Sequence, residues 1–209
     1  MLVHGFKKSS KDMQPLLDNL KLLGHECFLI DLPITYEKFD VAASLLGDFL
    51  EEMIKTHLSD GEKIHFVGHS TGGLVIRKML SETKFVNKIG RCVLIATPNK
   101  GSKLANIASK LPLYGQIYKT LGSISYKYIE QMDIKDKPSI EIGAIAGNSS
   151  NLFLGHLINE ESDGRVEVKS VDLPNFTDFI VLAFGHKEIH NQKETAKLVE
   201  MFLEKGKFK

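Results

Sequence analysis

Apolar and polar positions alternate along this chain in two distinct rhythms, and they do so in turn. Short continuous apolar runs stand at Met1–Val3, Cys27–Ile30, Ile64–Val67, Cys92–Ala96, Ile140–Ala146 and Phe179–Phe184. Unbroken runs of this length, rich in β-branched residues, are the pattern of strands buried on both faces. Between them lie stretches with apolar residues every three or four positions. Met13, Leu16, Leu17, Leu20 and Leu23 make one such face, closed by Gly24, with Ser9 and Ser10 as candidate caps. Val41, Leu45, Phe49 and Met53 fall on one face of a second helix over Phe39–His57, with Gly61 beyond its end. A third runs from Leu74 to about Ser81, with Val75, Ile76, Met79 and Leu80. A last one, Glu194–Leu203, carries Leu198, Val199 and Phe202. Strand and helix alternate from end to end, so the expected architecture is α/β, a doubly wound, mostly parallel six-stranded sheet covered on both faces. No repeat, low-complexity tract or linker divides residues 1–209, and one domain is expected.

The pattern weakens between Lys103 and Lys137. Pro112, Gly115 and Gly122 interrupt it, and Tyr114, Tyr118, Tyr126 and Tyr128 gather there. Residues 103–137 therefore read as a small lid or pocket segment, with Tyr114 and Tyr118 as candidate substrate-binding residues. Asn148 to about Asp172 reads as loop, with a short strand at Val166–Val171.

Composition narrows the function classes. Hydrophobic residues are 43% and charged residues 25% of the 209, the balance of a soluble globular protein. A net charge of +1 gives no basic surplus for nucleic acid. Nothing at the amino terminus resembles a signal peptide, no apolar run has the length of a membrane span, and a cytoplasmic location is expected. Cys27 and Cys92 both fall in apolar runs, as free core thiols do, and no Cys/His cluster has zinc spacing. Neither a metal nor a cofactor is expected.

The chemistry concentrates at Gly68-His69-Ser70-Thr71-Gly72-Gly73. It follows an apolar strand and opens a helix, so G-x-S-x-G here has the context of a nucleophile elbow. Such a turn lifts the serine hydroxyl clear of the sheet, and Gly68 and Gly72 stand where side chains would collide. The amides of the following helix point at the reaction centre and can stabilise an oxyanion. A serine hydroxyl needs a base, and the base needs a third group to orient it. Among the carboxylates Glu160, Glu161 and Asp163, only Asp163 precedes a glycine that allows a tight turn. His186, at the end of the last apolar run, is the candidate base, and His190 is its rival, read as a solvated or capping residue. The loop His4-Gly5-Phe6 ends the first run and can set the amide of Phe6 opposite that of Thr71 as an oxyanion hole. His4 itself reads as a loop-holding residue. His69 points away from the reaction centre in such a turn and takes no proton. His25, His57, His65 and His156 have no partner pattern.

These segments in this order resemble the α/β-hydrolase superfamily, and within it the small bacterial lipases and esterases. Leu2-Val3-His4-Gly5-Phe6 is similar to the family's oxyanion segment, and the Ser70 turn to its elbow. Thr97-Pro98-Asn99-Lys100-Gly101-Ser102 is similar to a lipase loop that usually has histidine where Asn99 stands. Ser162-Asp163-Gly164-Arg165-Val166 resembles the acid loop, and Gly185-His186 through Phe202-Leu203 the histidine loop and closing helix. The family usually has one or two strands before the oxyanion segment. Their lack here, and the shortness of residues 103–137, imply a minimal form of the fold, or a cut amino terminus, with no large cap domain. The resemblance implies a serine hydrolase acting on a small acyl ester, with Ser70, Asp163 and His186 as triad. Thioesterase, amidase and acyltransferase chemistry share those residues, and a non-catalytic binding protein on the same fold is the remaining alternative.

Overall fold

The computed structural model describes residues 1–103, 126–132, 134–150 and 160–209. Among them six parallel strands form one sheet in the order β2-β1-β3-β4-β5-β6. The strands are β1 (Leu2–Val3), β2 (Leu29–Ile30), β3 (Ile64–His69), β4 (Ile89–Ile95), β5 (Ile142–Gly147) and β6 (Asp178–Leu182). Every adjacent pair is parallel, with Leu2 beside both Leu29 and Val67, Val67 beside Val93, and Leu94 beside Ala144. The helices are α1 (Gln14–Leu22), α2 (Phe39–Thr56), α3 (Thr71–Glu82), α4 (Tyr126–Gln131), α5 (Val168–Val171) and α6 (Lys193–Lys205). This is the doubly wound α/β architecture the alternation predicts.

Successive strand residues point to opposite faces, and the core divides accordingly. Val3, Phe66 and Leu94 face α2 and α3, together with Leu46, Leu50, Leu74 and Ile76. Leu2, Val67, Val93 and Ile95 face α1 and α6, with Leu16, Leu20, Val199 and Phe202. Covering the sheet on both sides is why its strands read as continuous apolar runs. Cys92 is a buried free thiol, and burial pushes its pKa up to about 12; Cys27 is half-buried.

Three sequence expectations are corrected. Val41, Leu45 and Phe49 do share a face of α2, but it is the outer one, 41%, 37% and 36% exposed. The buried face is Phe39, Ala42, Ala43, Leu46 and Leu50, and its alanines bring α2 close against α3. Residues Val166–Val171 do not form a strand. Glu167 makes an isolated bridge with Ser162, and the chain then turns into the short α5. Ser10 caps no helix through its hydroxyl, which donates to Asp31 at 2.9 Å; α1 starts instead with Pro15 in its first turn. The predicted pocket tyrosines Tyr114 and Tyr118 lie outside the described residues.

Parallel strands end together, so the loops after β1, β3, β4, β5 and β6 meet at one edge of the sheet. All the candidate chemistry lies on these loops.

Candidate active site

Strand β3 runs through Gly68 and His69 and reverses into α3 at Ser70. Ser70 has φ 54° and ψ −127°, a conformation that L-residues avoid. Its amide is tied to Ile95 of the neighbouring strand at 2.8 Å, and its carbonyl accepts from Gly73 at 3.0 Å. The strain is held by close packing. A Cβ on Gly68 would lie 2.7 Å from the backbone of Gly73, and one on Gly72 would collide with the carbonyls of Val3 and His4. Gly68 and Gly72 therefore stand where the elbow leaves no room.

The loop that carries Asp163 is built around its own turn. Asp163 is 1% exposed. Its Oδ1 accepts from the amides of Arg165 and Val166 at 2.9 and 2.8 Å, and Gly164 takes φ 89° to close the turn. This leaves Oδ2 aimed outward from the turn, 2.7 Å from Nδ1 of His186. His186 follows the end of β6, and its Nε2 lies 3.0 Å from Oγ of Ser70. Its amide also donates to the carbonyl of Asp163 at 3.0 Å. With the proton on Nδ1, His186 donates to the carboxylate and accepts from the serine hydroxyl, the arrangement in which a hydroxyl can lose its proton as it attacks. Ser70, His186 and Asp163 are all buried, at 9%, 4% and 1% exposure, in a setting where charge interactions are little screened.

The loop His4-Gly5-Phe6 passes directly beside the serine. A Cβ on Gly5 would come within 3.0 Å of Cβ of Ser70. Phe6 is the next residue along this loop, and Thr71 is the first residue of α3. His4 holds this loop. Its Nδ1 donates to the Gly5 carbonyl at 2.9 Å and its Nε2 accepts from the Leu32 amide at 3.1 Å. One tautomer satisfies both bonds, as a loop-holding residue requires.

Residues 1–163 match the family described as "Putative serine esterase (DUF676)". The chain belongs to that family. The fold is also that of several solved structures. Lipase BlEst2 of Bacillus licheniformis in its propeptide form superposes with a TM-score of 0.86 and 22% identity, over 97% of this chain and 49% of that one. This chain thus spans about half the length of that form. The mature form gives a TM-score of 0.83 and 20% identity, over 97% of this chain and 89% of that one. The Pyrococcus furiosus esterase Pf2001 gives 0.64 and 21%, over 97% of this chain and 80% of that one. No curated protein matches the sequence.

The loop after β4 is braced by a buried ion pair. Arg77 of α3 donates to Asp136 through Nε and Nη2 at 2.9 and 2.7 Å, and through Nη1 to Asn99 at 3.2 Å. Asn99 in turn donates to the carbonyl of Val171 at 2.7 Å. Where the resemblance has histidine, this chain uses an amide to join the loop after β4 to α5.

The site contains a group that sequence reasoning missed. His190 is not solvated; it is fully buried. Its Nε2 lies 3.2 Å from the carbonyl of Asp12 and 3.1 Å from Oδ2 of the same residue. Its ring stacks on His69, with centroids 3.8 Å apart and planes at 22°. Burial, then the neighbouring His190 and His186, hold His69 well below the ordinary imidazole range. Burial pushes the Asp12 carboxyl up, but hydrogen bonds from His190 and Lys8 outweigh it and bring the group down to about 2. The only sequence signal for this cluster is the count of histidines near the elbow and the last loop. Nothing local pairs either with Asp12.

Proposed function

We propose that the chain is a serine hydrolase that cleaves carboxylic esters through an acyl-enzyme. The observation that carries this reading is the continuous hydrogen-bonded line from Asp163 Oδ2 to His186 Nδ1 and from His186 Nε2 to Ser70 Oγ, at 2.7 and 3.0 Å, ending on a serine in a strained elbow. Membership of an esterase family supports the same class.

In this reading Ser70 Oγ attacks the acyl carbonyl while His186 takes its proton on Nε2. Asp163 holds the imidazole in the required tautomer and faces the imidazolium that forms. The carbonyl oxygen, now an oxyanion, sits between the amides of Phe6 and Thr71 at the start of α3, where the helix dipole adds to the two donors. Collapse breaks the ester C–O bond, and His186 returns its proton to the leaving alcohol. Water repeats the sequence on the acyl-enzyme and frees the acid and Ser70. Every proton moved belongs to Ser70, His186 or water.

A fluorophosphonate probe tests the reading. It labels the parent once, at Ser70, and the Ser70→Ala variant neither labels nor turns over p-nitrophenyl esters. Undiminished labelling of that variant overturns the proposal. A panel of p-nitrophenyl esters from acetate to palmitate, with a thioester and an anilide beside them, then defines the bond and chain length preferred.

A further inference from the structure

The elbow that presents Ser70 also presents a group that grips the proposed base. His69 precedes Ser70, and its ring lies 5.0 Å from the ring of His186, centroid to centroid. It is 3% exposed, and Nε2 stands 3.0 Å from the backbone carbonyl of His186. A carbonyl only accepts, so the His69 proton resides on Nε2 and the lone pair on Nδ1. His186 is thus held at both backbone ends. Its amide is bound by the carbonyl of Asp163, and its carbonyl by the residue adjoining Ser70.

His69 is itself braced. Its ring lies flat on His190, whose Nε2 faces two acceptors of Asp12, the carbonyl and Oδ2. Both partners accept, so His190 donates there. Asp12 belongs to the 3-10 turn Ser10–Met13 that follows the oxyanion segment, and its other carboxylate oxygen pairs with Lys8. The column Asp12–His190–His69 therefore joins the oxyanion loop, the histidine loop and the elbow, three segments far apart in sequence.

We infer that His69 is a positioning residue, braced by His190 and Asp12, which fixes the carbonyl of His186 and through it the distance between the imidazole and Ser70. This rests on the reading of Ser70 and His186 as nucleophile and base. Burial keeps His69 uncharged in the neutral range, so the Nε2 proton stays in its bond to the carbonyl.

A metal ion is the competing use of the same side chains, since Asp12, His69 and His190 offer ligand atoms within 4.8 Å of one another. The ring geometry favours the brace. Imidazole lone pairs lie in the ring plane, and two rings stacked 3.8 Å apart with planes at 22° send them side by side, not to one point. An ion would also remove the proton that His190 gives to Asp12.

The test compares His69→Leu and His69→Gln with the parent by fluorophosphonate labelling rate and by kcat and KM for p-nitrophenyl butyrate. His69→Leu lowers kcat and the labelling rate about 10- to 100-fold with KM unchanged, the scale expected for a misplaced base. His69→Gln, which keeps a side-chain donor of similar reach, recovers most of the loss. Added to His186→Ala, His69→Leu removes nothing further from the residual labelling. Parent-like rates in His69→Leu overturn the inference, as does an equal loss in the His186→Ala background. Should His69→Leu fail to fold, ¹⁵N NMR of the histidine-labelled parent decides. The proton of His69 is expected on Nε2, and its presence on Nδ1 refutes the bond. Zinc added to chelator-treated parent is expected not to bind at stoichiometric concentration; one equivalent bound by the parent and lost in Asp12→Asn replaces the brace with a metal site. Labelling that persists in Ser70→Ala would instead defeat the hydrolase reading itself.

Discussion

Asp163 divides its carboxylate between its own turn and His186. One oxygen takes the amides of Arg165 and Val166, and the other faces the imidazole at 2.7 Å. The turn holds the side chain through Oδ1 alone, so the two functions separate by substitution. Asp163→Asn can keep the turn, because its side-chain oxygen still accepts, but it offers an amide where Nδ1 needs an acceptor. Turnover of p-nitrophenyl butyrate is expected to fall by about 10⁴ with the fold intact by circular dichroism. Glu160→Gln and Glu161→Gln are expected to stay within about twofold, since both side chains are exposed and, among the described residues, engage Lys169 and Asn148. A crippled Glu161→Gln would mean that the acid is Glu161 and not Asp163, two residues away.

Two glycines on opposite sides of α3 predict opposite signs. A Cβ on Gly68 meets the backbone of Gly73 at 2.7 Å, and backbone cannot give way cheaply. Gly68→Ala is expected to cost about 1–3 kcal/mol in urea unfolding and to slow fluorophosphonate labelling, because the elbow itself must open. In α2, a Cβ on Gly47 meets nothing nearer than Met79 at 3.9 Å. Gly47→Ala is expected to stabilise by about 0.5–1 kcal/mol through lower chain entropy in the helix. A stabilised Gly68→Ala would mean that the elbow is not packed as described.

The parts legible in the sequence are those set by local rules. Continuous apolar runs gave the buried strands, and glycines beside a serine gave a turn with no room for side chains. The turn at Asp163 was readable because it is made within four residues, closed by Gly164. What was not readable depends on partners far along the chain. His190 is buried because Asp12, 178 positions away, reaches it. Its flanks look like an ordinary helix start. The outward stripe of α2 misled for a different reason: Val41, Leu45 and Phe49 outrank alanine on any hydrophobicity scale, whereas Ala42 and Ala43 are buried because small residues let two helices approach. Val166, Val168 and Val171 favour a strand by composition. The Asp163 turn and the bond from Ser170 Oγ to the Gly101 carbonyl fold them otherwise.

The ion pair of Arg77 and Asp136 is expected to matter for stability and little for chemistry. Arg77 is 4% exposed and spends three nitrogens on Asp136 and Asn99. Arg77→Met leaves the part-buried carboxylate with the Asn175 amide, 2.9 Å away, but no countercharge among the described residues, and a loss of about 1–3 kcal/mol is expected in urea unfolding. Arg77→Met with Asp136→Leu should recover part of it, because no orphaned charge remains. An Arg77→Met protein as stable as the parent would show the pair to be solvated.

Stability should fall as the solution becomes mildly acidic, and two histidines contribute a window that opens at 6.5. Burial lowers His65 from 6.5 to about 4, and its Nδ1 accepts from the amide of Arg91 at 2.9 Å, so the folded state uses the unprotonated ring. His69 is shifted in the same direction, again by burial first. In the unfolded chain both rings take up protons near 6.5. Between that pH and about 4 the unfolded state therefore binds more protons than the folded one, and unfolding becomes easier as pH drops. The stabilisation is fully present above the unfolded pKa and is lost on the way down. Asp12 opens a second window below this one. Its folded value of about 2 lies under its unfolded 3.8, so its contribution is held above 3.8 and lost as pH approaches 2. Urea midpoints measured at pH 6.5, 5 and 4 are expected to decline over both intervals. His65→Gln, which keeps an acceptor but cannot be protonated, should be less steep between pH 6.5 and 4. A parent more stable at pH 5 than at pH 6.5 would require the folded histidines to bind protons more tightly than the unfolded ones, and would contradict the buried, uncharged rings on which both this window and the brace behind Ser70 depend.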